Sequence, residues 1–385
     1  MSVAVHLAFK EIWRNRGRFL LFSLVVALIT LLVLFIAALG EGLGSGNREY
    51  LEKVNAELIA YQDTARLSIA GSRLDSAKRR AIRAVEGVLD VGAVGFASVS
   101  VLLGDGHDPL DVSLIGVEPG KPGEPPVVQG SGLVRRSANE AIIDRTVTEV
   151  TQVKLGEWLT IRSPQGNEDQ FYNLTVAGIT DSRKYGLRPS IVVPIVTWDK
   201  IRPQAVVAGG EADPAANVTA IQLVDPAQLE VVRERMIAQV SGIDVVDIKT
   251  AYENTPGYSA QQSTLTTQNT FALLIGVLVI GGFFQIQTLQ KVAQIGMLKA
   301  IGTPSAVVAV AIMVQIIAIN LVGVLIGSAI AFGVALVFPP NIPIVFEPRS
   351  GAMAVASILI MGPVGGLVSI RYSLRVEPLT ALGLG

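Results

Sequence analysis

The sequence predicts an α-helical membrane protein with four transmembrane helices and a large extracytoplasmic mixed α/β domain between helices 1 and 2. Three observations support this. Half of the 385 residues are apolar and only 16% are charged, against about a quarter charged in an ordinary soluble domain. The deficit is local: four uncharged stretches reach the roughly 20 residues needed to cross the hydrocarbon core of a bilayer. The block between the first two stretches, by contrast, holds 22 basic and 29 acidic residues, a net charge of −7.

Taken in order, residues 1–18 carry Lys10, Arg14, Arg16 and Arg18, with Val5, Phe9, Ile12 and Trp13 on one helical face. That pattern predicts an amphipathic helix lying at the cytoplasmic membrane interface. Residues 19–40 form the first span, whose only hydroxyl residues are Ser23 and Thr30. Its apolar run exceeds the 7–15 residues of a cleavable signal core, so it reads as a span. Residues 270–290, with an apolar centre at 271–284, form the second span, and 291–303 a short loop. Residues 304–338 form the third span, 339–350 an external loop, 351–370 the fourth span and 371–385 a tail. Lys10, Arg14, Arg16, Arg18, Lys291, Lys299, Arg371 and Arg375 flank one side, and only Arg349 lies in the opposite short loop. Lysine and arginine in short flanks stay on the cytoplasmic side, so both termini are expected in the cytoplasm and the chain in the plasma (inner) membrane.

The polar block, residues 41–269, reads as α/β. Residues 47–59 continue helically from the first span as a stalk, and 257–270 return as a second. Residues 75–86 predict a helix, with Asp75 at its start and Gly87 after its end. Alternating or β-branched runs at 99–103, 112–117, 158–162 and 174–179 predict short strands. Residues 218–224, 226–240 and 243–248 read strand, helix, strand. The Pro/Gly-rich 118–132 and the small-residue 205–216 read as exposed loops.

Several function classes fall away. The net charge of −1 excludes a strongly basic nucleic-acid binder. With no cysteine there is no thiolate metal site or cysteine nucleophile. No Gly-x-x-x-x-Gly-Lys-Ser/Thr loop is present to cradle a nucleotide, so ATP hydrolysis is expected in a separate subunit and no catalytic residue is assigned. His6 and His107 are expected on opposite sides of the membrane, so no metal site is assigned. The turn with Asp105, Asp108 and Asp111 lacks EF-hand spacing and reads as a solvated acidic turn. Asn173-Leu-Thr175 and Asn217-Val-Thr219 match the glycosylation sequon, which carries meaning only in a secretory host. The spans hold no ionisable side chain, against the usual pattern of proton- or ion-coupled transporters. Gln315 and Asn320 read as interhelical hydrogen-bond partners. Gly323 and Gly327 form a small-xxx-small helix-packing face, serving contacts within the chain or between two copies.

Three segments resemble the MacB/FtsX-like permease family of ABC transporters: Leu7-Ala-Phe-Lys-Glu-Ile-Trp-Arg-Asn-Arg-Gly-Arg18 before the first span, Lys291-Val-Ala-Gln-Ile-Gly-Met-Leu-Lys-Ala-Ile-Gly302 after the second, and Arg371-Tyr-Ser-Leu-Arg-Val-Glu-Pro-Leu-Thr-Ala-Leu382 after the fourth. The middle one resembles the family signature basic-x-x-Glu-Ile-Gly-x-Leu-basic-Ala-x-Gly, with Gln294 where an acid is usual. The resemblance implies an ATPase-coupling segment comprising Lys291, Gln294, Ile295, Gly296, Leu298, Lys299 and Gly302. It also implies a homodimer of permease chains, a partner ABC ATPase holding ATP and Mg, contact with membrane lipid, and an external domain of strand–helix–strand "porter" plus β-rich insert. No nucleic-acid partner is implied. The start of the external block and the chain's length resemble the haem-exporting and DevC-like branch. With no histidine near the outer membrane surface, a haem ligand there would be Met, Tyr or a carboxylate. Two functions stay open: ATP-driven export of an amphipathic substrate (haem, lipid, lipoprotein or peptide), or FtsX-like signalling to an extracytoplasmic protein partner without transport. No residue is identified as touching substrate.

Overall fold

The computed structural model describes residues 2–103, 108–204, 213–255, 258–337 and 344–375. The acidic turn around His107 and most of the 205–216 stretch lie outside the described residues. The chain divides into two compact units, one of residues Met1–Leu43 and Gln262–Gly385, the other Gly44–Gln261.

The first unit is helical. It contains α1 (Ser2–Arg14), most of α2 (Arg16–Glu52) and, later in the chain, most of α8 (Tyr258–Gln290), then α9 (Val292–Ala300), α10 (Ser305–Val337) and α11 (Pro348–Arg375). Four stretches of these helices, Arg16–Gly46, Tyr258–Gln290, Ser305–Val337 and Pro348–Leu367, are long and apolar enough to span a membrane. Each buries one face in a shared core that includes Val26, Phe284, Ile316, Ile319, Ile358 and Met361. The opposite faces leave Leu28, Leu278, Leu325 and Leu367 about half exposed or more, as lipid-facing positions require.

Lipid tails are as apolar as leucine, so helices in a bilayer associate through close packing and interhelical hydrogen bonds. Both occur here. At Gly323 of α10 an added Cβ would lie 2.5 Å from the Val26 Cβ of α2, and at Gly327 2.5 Å from the Ala27 carbonyl oxygen. The small-xxx-small face is therefore filled by the first span of the same chain and is not free to meet a second copy. The Ser23 hydroxyl donates to the Ile319 carbonyl across this contact at 3.4 Å. Pro363 stands inside α11, and proline has no N–H to give the carbonyl four residues earlier. That carbonyl, of Leu359, instead accepts from the Asn320 amide of α10 at 3.0 Å, and the Ile358 carbonyl from the same nitrogen at 2.9 Å.

The described residues of the second unit form ten strands, in chain order β1 (Leu58–Gln62), β2 (Val88–Val101), β3 (Leu110–Val117), β4 (Gln129–Gly130), β5 (Glu140–Asp144), β6 (Trp158–Gln165), β7 (Glu168–Thr180), β8 (Ser190–Pro194), β9 (Val218–Leu223) and β10 (Ile243–Asp247). Its helices are α3 (Ser76–Arg83), α4 (Arg145–Thr151), α5 (Ile195–Ile201), α6 (Leu229–Gln239) and α7 (Ile248–Glu253). Asp75 caps α3, accepting from the Lys78 N–H at 2.8 Å, the N-cap chemistry expected of a short polar side chain. Burial alternates along β6: Leu159, Ile161 and Ser163 are buried and Trp158 points out, the period of two that marks a half-buried strand.

The strands pair in the order β10-β1-β9-β2-β3-β8-β5-β7-β4, and β6 joins β7 to the far end of β2. The β10-β1-β9-β2 portion is wholly antiparallel. With α3 between β1 and β2 and α6 between β9 and β10, it forms a split β-α-β unit of the ferredoxin-like kind. Ile82 of α3 and Val85 just after it, with Val232 and Met236 of α6, pack on its Leu58, Ala60 and Ile221 face. Because β6 reaches both β2 and β7, strands β2, β3, β8, β5, β7 and β6 close into a ring, with parallel pairings at β3–β8 and β5–β7. Its core includes Val112, Leu114, Ile143, Ile161, Leu174 and Trp198. The Trp198 indole lies so close to β2 that a Cβ on Gly95 would come within 2.6 Å of it. This is the strand–helix–strand part with a β-rich insert that the resemblance implied.

The details depart from expectation in several places. The helix from the first span ends at Glu52, and Leu58 and Ile59 belong to β1, where both strand faces are buried. Strands β5 and β8 had no counterpart in the sequence reading. The 118–132 segment is not simply an exposed loop: Pro122, Gly123 and Pro125 are buried, and Glu124 accepts from the Gly120 and Leu133 N–H groups. Asn217 of the second sequon is 1% exposed, accepting from Phe96 N and donating to the Ile69 carbonyl. It is a structural residue with no room for a glycan in the folded chain.

Candidate coupling site

The segment after the second span folds as α9, a nine-residue helix between Lys291, its N-cap, and Ile301. Gly302 follows at φ +92°, a left-handed conformation glycine adopts without a Cβ clash, and Pro304 begins the approach to α10. The helix is therefore punctuated at its C-terminal end by residues that cannot extend it.

The predicted coupling residues divide by the face they occupy. Ile295 and Gly296 are buried, and Lys291, Leu298 and Lys299 are half-buried, leaving Gln294 as the exposed member on α9. Lys299 donates to the Leu374 carbonyl at the end of α11. Ala293, Met297, Ala300 and Ile301, absent from the predicted set, complete the open face. Met297 is 54% exposed and Ile301 78%. The predicted residues thus mostly seat the helix, and the residues outside that set present it.

What seats α9 most specifically is Glu11 on α1. Its carboxylate forms an ion pair with Lys291 and accepts from the Gln315 side-chain amide of α10 at 2.6 Å. Gln315 is 4% exposed, so it needs an acceptor inside the bundle. One carboxylate thereby ties the N-terminal helix, the start of α9 and the third span together. Sequence reasoning missed Glu11, although a signal was present: it is the one acidic residue before Glu41, amid Lys10, Arg14, Arg16 and Arg18. Ala8 of α1 is fully buried and α1 packs on α10, while Phe9 and Trp13 stay 66% and 70% exposed. Ile12, expected on the same face as Phe9 and Trp13, is instead partly buried against the bundle core.

In the second unit the last turns of α2 are bolted to the loop between β7 and β8. Leu187 N donates to the Gly46 carbonyl at 2.9 Å and Tyr50 N to the Lys184 carbonyl at 3.1 Å. Lys53 bonds Asp181 and the Ser182 carbonyl, and the Arg183 guanidinium returns a bond to the Lys53 carbonyl at 2.6 Å. Tyr50 is 1% exposed and donates to the Gly123 carbonyl at 2.7 Å; burial raises its hydroxyl pKa. Burial would raise the Asp181 carboxyl too, but Arg183 and Lys53 outweigh it and hold it below the usual carboxylate range. The end of the helix is thus clamped by charged and buried polar contacts. Among the described residues no cluster of His, Asp and Glu could hold a metal ion.

Residues 19–239 match the family model of the MacB-like periplasmic core domain, and residues 269–378 that of the FtsX-like permease C-terminal domain. The chain belongs to the MacB/FtsX-like family of ABC transporter permeases. Such permeases work with an ATPase partner. The chain is 25% identical over 379 residues to a Staphylococcus haemolyticus protein named hemin transport system permease protein HrtB, covering 98% of this chain and 99% of the relative. It is 24% identical over 172 residues to the macrolide export ATP-binding/permease protein MacB of Agrobacterium fabrum, 41% of this chain and 26% of that one. The periplasmic region of MacB from Actinobacillus actinomycetemcomitans superposes with a TM-score of 0.36 at 11% identity, over 54% of this chain and 97% of that one.

Proposed function

We propose that this permease is the membrane subunit of an ATP-driven exporter of haem or a similar amphipathic molecule. Alignment over nearly its whole length with a hemin transport permease supports the substrate class. The observation that carries the mechanism is the Glu11 link. Closure of a pair of ATPase subunits, each holding ATP and Mg, moves α9 through its open face at Gln294, Met297 and Ile301. Glu11 passes that movement to α1 and to the third span. The continuous helices α2 and α8 carry it to the inserted domain, where the contacts around Gly46, Tyr50 and Lys53 transmit it.

In this reading both termini and α9 are cytoplasmic, following the distribution of lysine and arginine, and the inserted domain is external to the plasma membrane. Two permease chains form the working unit. Their contact must lie elsewhere than Gly323 and Gly327, which the first span already covers.

The test is reconstitution of the full chain with its ATPase in haem-loaded vesicles, following haem transfer to an external apo-haem acceptor. ATP-dependent transfer that Met297→Glu abolishes, with the bundle still folded, is the expected result. Association and ATP hydrolysis without haem transfer would sink export and favour signalling to an external protein. Failure of any ATPase to associate would sink the coupling role of α9.

A further inference from the structure

The end of the bundle that carries α1 and α9 contains a cleft of about 530 Å³. Its lining is divided by chemistry. Lys10, Arg14 and Arg18 line one part, and the half-buried Leu298, Val307 and Ile312 another. Among the described residues Glu11 is the one carboxylate in the lining, and Lys291 and Gln315 already engage it. Arg18 donates to the Gln290 amide oxygen at 3.3 Å, a neutral acceptor. Lys10 and Arg14 are exposed and form no ion pair among the described residues. Among the described residues the cleft therefore presents three cations with no balancing anion, next to an apolar wall, at one end of membrane-spanning helices.

The ligand that satisfies both parts of this lining has an anionic phosphate and acyl chains. A free phosphate would neutralise the cations and leave the Val307 and Ile312 side wet. A neutral lipid would cover that side and leave the cations unpaired. Phe9 and Trp13, both exposed on α1, are the kind of side chains that settle at the headgroup level of a bilayer. Basic pockets between spanning helices at that level recognise anionic lipid headgroups.

We infer that this cleft binds an anionic phospholipid, its phosphate held by Arg14 and Arg18 with Lys10 alongside, and an acyl chain along the Val307 and Ile312 wall. The bound lipid lies beside the Glu11–Lys291 pair and so braces α1 against α10 where α9 begins. This inference does not depend on what the permease exports.

The experiment is native mass spectrometry of the full chain titrated in mild detergent with phosphatidylglycerol or with phosphatidylcholine. Each basic residue near a membrane surface favours an anionic lipid several-fold, so the wild type should prefer phosphatidylglycerol by about tenfold or more. The double variant Arg14→Gln/Arg18→Gln should lose that preference, whereas Arg14→Lys/Arg18→Lys should keep it, showing that charge and not folding is at stake. Arg16→Gln, outside the lining, should also keep it. Equal retention of the two lipids by wild type would overturn the inference. So would displacement of phosphatidylglycerol by inorganic phosphate at matched concentration, which would make the site one for a free anion. Release of the lipid on adding the ATPase would overturn it too, assigning the cleft to the protein partner.

Discussion

Replacing Glu11 by alanine removes one carboxylate but breaks two bonds. Gln315, 4% exposed, is left without its acceptor, which costs about 1–3 kcal/mol for a buried polar group. The ion pair to Lys291 involves side chains 28% and 21% exposed, so solvent screening limits it to about 0.5–1 kcal/mol. A link present in one conformation and absent in the other biases the equilibrium between them by its own free energy. With about 1.4 kcal/mol per factor of ten, Glu11→Ala should lower substrate-stimulated ATP turnover by about tenfold or more, and Lys291→Met by a few-fold. The assay is ATP hydrolysis by vesicles holding the permease and its ATPase, run as a double-mutant cycle. Both substitutions break the same link, so the double variant should be no worse than Glu11→Ala alone. Losses that simply multiply would show that the two residues act independently, and the coupling argument would be refuted.

Asn320→Leu removes the donor to two α11 carbonyls and should destabilise the bundle by about 1–2 kcal/mol in reversible detergent unfolding. The loss should shrink when Pro363→Ala returns an N–H to the Leu359 carbonyl. Gly327→Leu should force α10 from α2 and lower the thermal midpoint by an amount matching about 1–3 kcal/mol of overpacking, while Leu325→Ala on the exposed face leaves it unchanged. Asp181 has a carboxyl pKa held down in the folded state. Its contribution is therefore present above the ordinary carboxylate value near 4 and is lost as pH falls through the folded value. Thermal melts between about pH 3 and 7 should show a shallower acid loss in Asp181→Asn than in the wild type.

The membrane architecture was legible because uncharged length and basic flanks are local properties, readable without knowing what touches what. Asp75 and the alternating residues of β6 and β7 were legible for the same reason. What escaped was non-local. Strands β5 and β8 are five residues each and almost wholly buried, so they carry no alternation to distinguish them from other short apolar runs. The ring closure depends on β6 meeting β2 across more than 50 residues of chain, which no periodicity encodes. At the candidate site, the coupling segment was visible as a pattern, but its polarity was not. Gly296, in the predicted coupling set, is buried, whereas Met297, outside that set, faces outward. Glu11 was hidden among cations, and only its partners reveal its use.

The pairing of β1 has a consequence for how the protein is made. Its two neighbours, β9 and β10, lie more than 150 residues further along the chain. The first span reaches the bilayer before them, so β1 must cross the membrane early and wait with both edges unpaired. Open strand edges invite association with other chains, and pairings of such long range form slowly. Biosynthesis therefore imposes an interval in which the translocated segment needs protection, and it ends only when residue 247 has followed. A stalled or truncated product lacking β10 would leave that edge exposed on the far side of the membrane, a ready target for quality-control proteolysis.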